Sequence, residues 1–379
     1  MNLPELDQID ELRAHLRSWS ERNPRFWQTD QENIEDQATS LAHQLGQEGF
    51  MAYVAPRSYG GARDTVQARD LCVIREELAQ FGALADVMFG VQALTTQPII
   101  LAGTEEQKAK YLPSLARAEN IGAFALTEPD AGSDAGAISL RANKVRGGYR
   151  LTGTKKLISN AGVAQVYVVF ASTDFSAKAK GISAFIVETD SAGFSVREKT
   201  RLLSPHPIGV LQFEDCFVSQ DGLLGAEGNG LKIALQTLDI LRCTVGASAV
   251  GFARRALAEA IAYSRNRQQF GRVIAEFQGI QFKLAEMATD LEASRLLVYE
   301  AAAAHDRNGP DSGLKSSIAK LFATEAAQRI VDQALQIHGG NGVVAGHVME
   351  RLYRDVRALR IYEGTSEIQK LLIARELLK

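Results

Sequence analysis

Ala125-Leu126-Thr127-Glu128-Pro129-Asp130-Ala131-Gly132-Ser133-Asp134 marks the point at which this chain changes character. Before it, from about Gln8 to Leu115, apolar residues recur at three- and four-residue spacing, as in Ala68 to Phe81, which is the pattern of packed helices. After it, to about Leu224, short runs rich in Val, Ile, Phe and Tyr (Val166 to Ala171, Ile182 to Val187, Val210 to Phe213) are separated by Gly, Asp, Asn and Pro. That stretch reads as a small, mostly antiparallel β domain. From Gly230 helical periodicity returns through Ala247 to Tyr263, Glu276 to His305 and Lys315 to His338. Alanine lets helices approach closely, so a C-terminal helical bundle is expected. The order predicts an α+β multidomain chain: an N-terminal α-helical domain over 1–120, a middle β domain over 121–226 and a C-terminal α-helical bundle over 227–379.

Composition narrows the function. The chain has 379 residues with 46% hydrophobic content, enough for more than one packed unit. Its formal charge of -3 and pI near 6.1 leave no excess of Lys and Arg to neutralise a phosphate backbone, so nucleic acid is not an expected partner. No stretch approaches 18 consecutive apolar residues, and the opening Met1-Asn2-Leu3-Pro4-Glu5-Leu6-Asp7 lacks the basic-then-apolar layout of a signal peptide. A cytoplasmic protein without membrane insertion is expected. The three cysteines, Cys72, Cys216 and Cys243, are far apart and odd in number, so they build neither a disulfide framework nor a CxxC metal site, and no metal is expected.

Four motifs bear on chemistry. In Ala125 to Asp134, small residues let backbone N–H groups approach an anion or a ring edge, and Thr127 and Ser133 add hydroxyls; a plain Gly-containing turn is the simpler reading. It is not a GxGxxG within a strand-turn-helix unit, which disfavours a Rossmann dinucleotide site. In Arg265-Asn266-Arg267-Gln268-Gln269-Phe270-Gly271, with Gln278 shortly after, Arg267 suits a pyrophosphate and Phe270 a ring, although a solvated helix end has the same composition. In Gln336-Ile337-His338-Gly339-Gly340-Asn341-Gly342 a helix ends in glycines that left-handed capping alone would explain. In Arg360-Ile361-Tyr362-Glu363-Gly364-Thr365-Ser366-Glu367-Ile368 a glutamate stands between an aromatic residue and a glycine just before the last helix, which suggests a carboxylate at the mouth of a helix.

These four motifs, in this order and at these separations, resemble the acyl-CoA dehydrogenases, FAD enzymes with an α, β, α three-domain fold. The match spans roughly residues 25 to 379. The resemblance implies FAD-dependent removal of two hydrogens from the α and β carbons of an acyl thioester. It matches Glu363 to the catalytic base. Some branches of the family carry the base at the position of Leu241, and leucine cannot do that work. It matches Leu126, Thr127 and Ser133 to a turn against the flavin, and Leu157 and Ser159 to a segment beside it, with the Ser159 hydroxyl close to flavin N5. Thr365 and Glu367 match further flavin contacts. Arg267, Phe270, Gln278, Gln336, Gly339 and Gly340 match residues that hold the adenine and pyrophosphate end of an FAD bound mainly by a neighbouring subunit, which implies a homodimer, usually doubled to a tetramer. Ser133, Asp239 and Arg242 match positions around the pantetheine arm and thioester, Asp239 and Arg242 being three apart on one helix face.

The chain departs from the family pattern at several positions. Leu157 stands where Trp is common, which removes an aromatic wall and opens the choice of electron acceptor between an electron-transferring flavoprotein and oxygen. Gly346 replaces a usual acidic residue. Ser204-Pro205-His206-Pro207-Ile208-Gly209 is an unusual loop, in which His206 either faces the acyl or pantetheine path or is simply solvated. The alternatives are a biosynthetic acyl-carrier-protein dehydrogenase or oxidase of the same fold and, more remotely, a catalytically silent assembly paralogue.

Overall fold

The computed structural model describes residues 3–27, 29 and 32–379, so Met1 and Asn2 of the opening segment read above lie outside the described residues. Five helices come first: α1 (Leu3–Arg22), α2 (Ile34–Gln47), α3 (Ala68–Phe81), α4 (Ala83–Ala102) and α5 (Glu105–Ala116). Eight strands follow: β1 (Gly122–Ala125), β2 (Arg141–Val145), β3 (Gly148–Ser159), β4 (Val166–Ser172), β5 (Ile182–Glu188), β6 (Phe194–Lys199), β7 (Ile208–Ser219) and β8 (Leu223–Leu224). The chain then returns to helix in α6 (Gly230–Asn266), α7 (Gln278–Asp306), α8 (Ser312–His338), α9 (Val348–Arg357) and α10 (Ser366–Leu377). The expected break near 121 lies between α5 and β1, and that near 227 between β8 and α6. Compactness divides the chain differently, into one unit of Met1–Trp27, Gln67–Asp86 and Arg242–Lys379 and a second of Gln28–Val66 and Val87–Leu241.

The second unit is built on the sheet, in the order β6-β7-β3-β2-β4-β5-β8, with β1 parallel beside β4. All seven residues of β4 are buried, because it lies inside the sheet and its Val, Tyr and Phe side chains are covered on both faces. Thr104 and Gln107 form the reciprocal cap of α5: the Gln107 N–H donates to Thr104 Oγ1 at 3.2 Å, and the Thr104 N–H to Gln107 Oε1 at 2.9 Å. The Gln107 amide also donates to the carbonyls of Asp221 (2.8 Å) and Leu223 (2.9 Å), which ties α5 to the end of the sheet. In β3 the pairing with β7 slips between Lys155 and Ile158, and this bulge throws Leu157 out of the ladder.

The first unit is helical. Two adjacent acids of α3, Glu76 and Glu77, are fully buried and are neutralised by arginines from α1 and α6. Arg13 lies 3.2 Å from Glu76 and 2.8 Å from Glu77, Arg17 lies 2.9 Å from Glu77, and Arg254 lies 2.7 Å from Glu76. Tyr299 of α7 donates to Glu76 at 2.5 Å. Removing one partner from such a cluster leaves buried charge uncompensated. Among the described residues two helices, α4 and α6, are long and apolar enough to cross a membrane, yet 78% and 72% of their most apolar stretches are buried inside the protein, as in core helices.

Close approach of α6 to its neighbours depends on glycine. A Cβ at Gly251 would stand 2.2 Å from the Glu76 carbonyl oxygen, and one at Gly246 2.8 Å from Val298. In an open helix Gly→Ala gains about 1 kcal/mol. Here a backbone oxygen blocks the methyl, and overpacking at about 1–3 kcal/mol outweighs that gain. Gly251→Ala is therefore expected to lower the denaturation midpoint of the apoprotein, and an unchanged or raised midpoint would contradict this packing.

Candidate active site

Glu363 occupies the turn between α9 and α10 with a φ of 51°, followed by Gly364 at 88°. Left-handed backbone at a glutamate is strained and needs surrounding structure to hold it. Lys320 of α8, fully buried, donates from Nζ to the Gly364 carbonyl at 2.7 Å. Gln369 donates to the Gly364 carbonyl at 3.0 Å and to the Glu363 carbonyl at 3.4 Å. Thr365 caps α10 by accepting from the Ile368 N–H at 3.3 Å, and Ser366 and Arg360 both bind Glu325, at 2.6 and 2.8 Å. Glu367 lies in the first turn of α10, where the helix dipole favours an anion.

The Glu363 side chain is only 9% exposed. Its Oε1 is 3.9 Å from Arg75 Nη1, and its buried Oε2 has no hydrogen-bond partner. Arg75 itself is engaged by Asp86, through paired contacts of 2.7 and 2.9 Å, and by Thr244 at 2.9 Å; Ser248 supports Asp86 at 2.6 Å. Burial raises the Glu363 pKa above its ordinary 4.5, while Arg75, Lys320 and Arg242 pull it down and Asp86 adds to the rise. Burial also lowers the Lys320 pKa to about 8. The result is a largely buried carboxylate of raised proton affinity, one oxygen of which accepts no hydrogen bond from the protein.

The sequence singles out Glu363 but not Arg75, Asp86, Lys320 and Gln369, which surround it directly or, for Asp86, through Arg75. The signal lay in charge inside apolar helices: Arg75-Glu76-Glu77 interrupts the buried face of α3, and Lys320 stands on the alanine face of α8 with Ala319, Ala323 and Ala327. Arg242 is 5% exposed and its Nη1 is 3.4 Å from Ser317, while Asp239, earlier on α6, is half-buried. Leu241 is buried at 2% exposure.

In the sheet unit the carbonyls of Leu126 and Thr127 are held by the bulge in β3. The Lys156 N–H donates to the Thr127 carbonyl at 3.0 Å, so the Leu126–Ser133 turn is pinned to the bulge. Beneath it the buried Lys155 ammonium donates to the Leu126 carbonyl at 2.9 Å and to Glu128 at 2.8 Å. Glu128 also accepts from the N–H groups of Ser139 and Leu140, at 2.5 and 3.0 Å. Leu157 has a φ of 55° and is 46% exposed, Thr127 is half-buried and Ser133 is exposed. His206 is half-buried rather than freely solvated: it bonds Ser159 at 3.1 Å, and burial pushes its pKa down to about 4.

At one end of the helical unit a third group assembles. Tyr263 stacks on His338 at 4.3 Å and accepts from Asn341 at 3.2 Å, which joins the end of α6 to the turn after α8. Arg267, Phe270, Gln278, Gln336, Gly339 and Gly340 are all exposed, Phe270 at 93% with a φ of 53°. A separate polar cavity of about 560 Å³ in this unit is lined by Arg13, Arg17, Glu76, Arg254 and Arg295, most of them already engaged in the ion pairs around Glu76.

The chain resembles known proteins along nearly its whole length. Residues 7–119, 123–216 and 228–378 match the N-terminal, middle and C-terminal domains of acyl-CoA dehydrogenase, respectively. An acyl-CoA dehydrogenase of Bacillus subtilis is 44% identical over 341 residues, covering 89% of each chain. The structure of butyryl-CoA dehydrogenase from Megasphaera elsdenii superposes with a TM-score of 0.90 at 35% identity, covering 98% of each chain. An acyl-CoA dehydrogenase from Bacillus anthracis complexed with FAD has a TM-score of 0.89 at 32% identity, covering 100% of this chain and 67% of that one. A prolyl acyl carrier protein oxidase gives 0.91 at 30% identity, covering 98% of each. Fold and relatives define a flavoprotein oxidoreductase acting on CH–CH groups, with FAD as its cofactor. The chain belongs to the acyl-CoA dehydrogenase family.

The residues present fit FAD. Leu157 and Phe270 are exposed apolar side chains on left-handed backbone, suited to flat rings. At Gly132, Gly339 and Gly340 an added Cβ would meet nothing within 4 Å, so a large ligand can approach the backbone there.

Direct titration checks the electrostatics. With a carboxyl-specific label on glutamate, Glu363 is expected to titrate above 4.5, and Lys320→Met, which removes one of the cations that lower its pKa, is expected to move it higher still. Titration at 4.5, or a downward move in the variant, would contradict the arrangement.

Proposed function

We propose that this chain catalyses α,β-dehydrogenation of an acyl-CoA thioester, with Glu363 removing the α-proton. The observation that carries the reading is the bare, buried Glu363 oxygen. The α-proton of a saturated thioester is only weakly acidic, so a base in water would be too weak. Burial strengthens Glu363 as a base, and Arg75, Lys320 and Arg242 oppose the rise in its pKa. Bound FAD supplies the acceptor for the hydride that leaves the β carbon. Glu363 takes the proton as the α C–H pair becomes the new double bond, so two hydrogens depart and an enoyl thioester remains. The Glu363 N–H, oriented by its left-handed φ of 51°, is proposed to donate to the thioester carbonyl and stabilise enolate-like charge. Leu241 carries no competing base.

In this reading Leu126, Thr127, Ser133, Leu157, Ser159, Thr365 and Glu367 hold the flavin, and Ser133, Asp239 and Arg242 border the pantetheine arm. Arg267, Phe270, Gln278, Gln336, Gly339 and Gly340 reach FAD bound by a neighbouring subunit, which makes the functional species a homodimer or a tetramer of two dimers. Electrons then pass to an electron-transferring flavoprotein. The likeness to a prolyl acyl carrier protein oxidase favours a second reading with a carrier-protein substrate. Both substrates end in the same pantetheine arm, and comparing turnover of CoA and carrier-protein thioesters separates them.

Two substitutions test the assignment. Glu363→Gln keeps size and polarity but cannot accept a proton; loss of a positioned base costs about 10²–10⁴ in rate, and water exclusion places the loss near the upper figure. Flavin bleaching in a single turnover is expected to slow accordingly with the resting flavin spectrum unchanged, and bleaching within about tenfold of native would contradict it. Arg267→Ala removes a charge-assisted contact and is expected to weaken FAD binding by about ten- to a hundredfold. Full flavin occupancy on dilution would remove the cross-subunit role.

A further inference from the structure

We propose that His206 is a positioning residue that takes the hydrogen of the Ser159 hydroxyl and so turns the Ser159 lone pairs toward the flavin. This rests on the reading that Ser159 faces FAD. His206 Nδ1 lies 3.3 Å from the Ser204 carbonyl oxygen, which can only accept, so Nδ1 carries the proton of the neutral ring. Nε2 is then bare. It lies 3.1 Å from Ser159 Oγ, and that contact is a hydrogen bond only with Ser159 donating. Burial, which holds the His206 pKa at about 4, keeps the ring neutral at ordinary pH.

The backbone makes this pairing rigid. Ser159 faces Ile208 in the β3–β7 ladder, the Asn160 N–H donates to the Pro207 carbonyl at 2.7 Å, and the Thr200 N–H donates to the Ile208 carbonyl at 2.8 Å. The loop of Ser204 to Gly209 that departs from the family pattern is thus the segment that aims the ring at Ser159.

A hydroxyl whose hydrogen is already given to His206 is a better acceptor than donor. Oxidised flavin presents a bare N5, and reduced flavin presents N5–H. An accepting Ser159 therefore favours the reduced cofactor. Without His206, the Ser159 hydrogen is released to N5 of the oxidised form, and the balance moves the other way.

The test uses the FAD-loaded protein. In ¹⁵N-histidine spectra His206 is expected as the neutral ring with its proton on Nδ1; a proton on Nε2 at neutral pH would overturn the proposal. His206→Ala is expected to lower the reduced-to-oxidised flavin ratio at fixed potential by up to about tenfold, which is about 30 mV for a two-electron couple. His206→Gln, whose amide oxygen can accept in place of Nε2, is expected to restore most of it. In a Ser159→Ala background the His206 substitutions are expected to shift nothing further, and an equal shift there would overturn the proposal. A shift for Ser159→Ala with none for His206→Ala would overturn it while leaving Ser159 against the flavin. No change in flavin spectrum or potential for Ser159→Ala would remove the contact itself, and the inference with it.

Discussion

On the proposed function, Glu363 is a base that must be dry enough to be strong and charged enough to be useful, and that demand constrains the helical unit around it. Glu363 meets it with a carboxylate whose nearest cation stands 3.9 Å away, too far for a tight ion pair and close enough to temper the cost of burial. Asp86 helps set that distance. By taking Arg75 in paired contacts of 2.7 and 2.9 Å, it leaves the guanidinium committed elsewhere while its field still reaches Glu363. A direct Arg75–Glu363 bridge would hold the carboxylate's proton affinity down and block its bare oxygen.

The backbone answers the same demand. Two successive left-handed residues, Glu363 and Gly364, are kept in place by Lys320 and Gln369 binding the carbonyls, and α10 starts immediately afterwards from its Thr365 cap. In the sheet unit an equivalent economy appears at the β3 bulge. The buried Lys155–Glu128 pair supports the Leu126 carbonyl from below while Leu157 is forced outward above it. In both units a fully buried lysine serves a strained turn.

How much of this could be read from the sequence follows from what each signal encodes. The α, β, α order and the long C-terminal helices were legible because hydrophobic periodicity is local. The turn of Ala125 to Asp134, the Arg265–Gly271 segment, the glycines after α8 and the Tyr362–Thr365 motif were legible as candidates because glycine, hydroxyl and charge spacing limit backbone and chemistry together. Arg75, Asp86 and Lys320 were not, since their importance comes from three helices meeting, and no spacing rule reports that. His206 illustrates the same limit. As a loop histidine it reads as solvated, and only the β3–β7 register, which sets Ser159 opposite Ile208, turns it inward.

The central claim is that Glu363 receives the substrate's α-proton, and difference infrared spectroscopy during a single turnover observes that event directly. The account predicts that a protonated-carboxyl band appears in the native protein at the rate of flavin bleaching and shifts when glutamate is isotopically labelled. That band should be absent from Glu363→Gln. A turnover that bleaches the flavin without protonating a glutamate, or a band of equal size in Glu363→Gln, would contradict it.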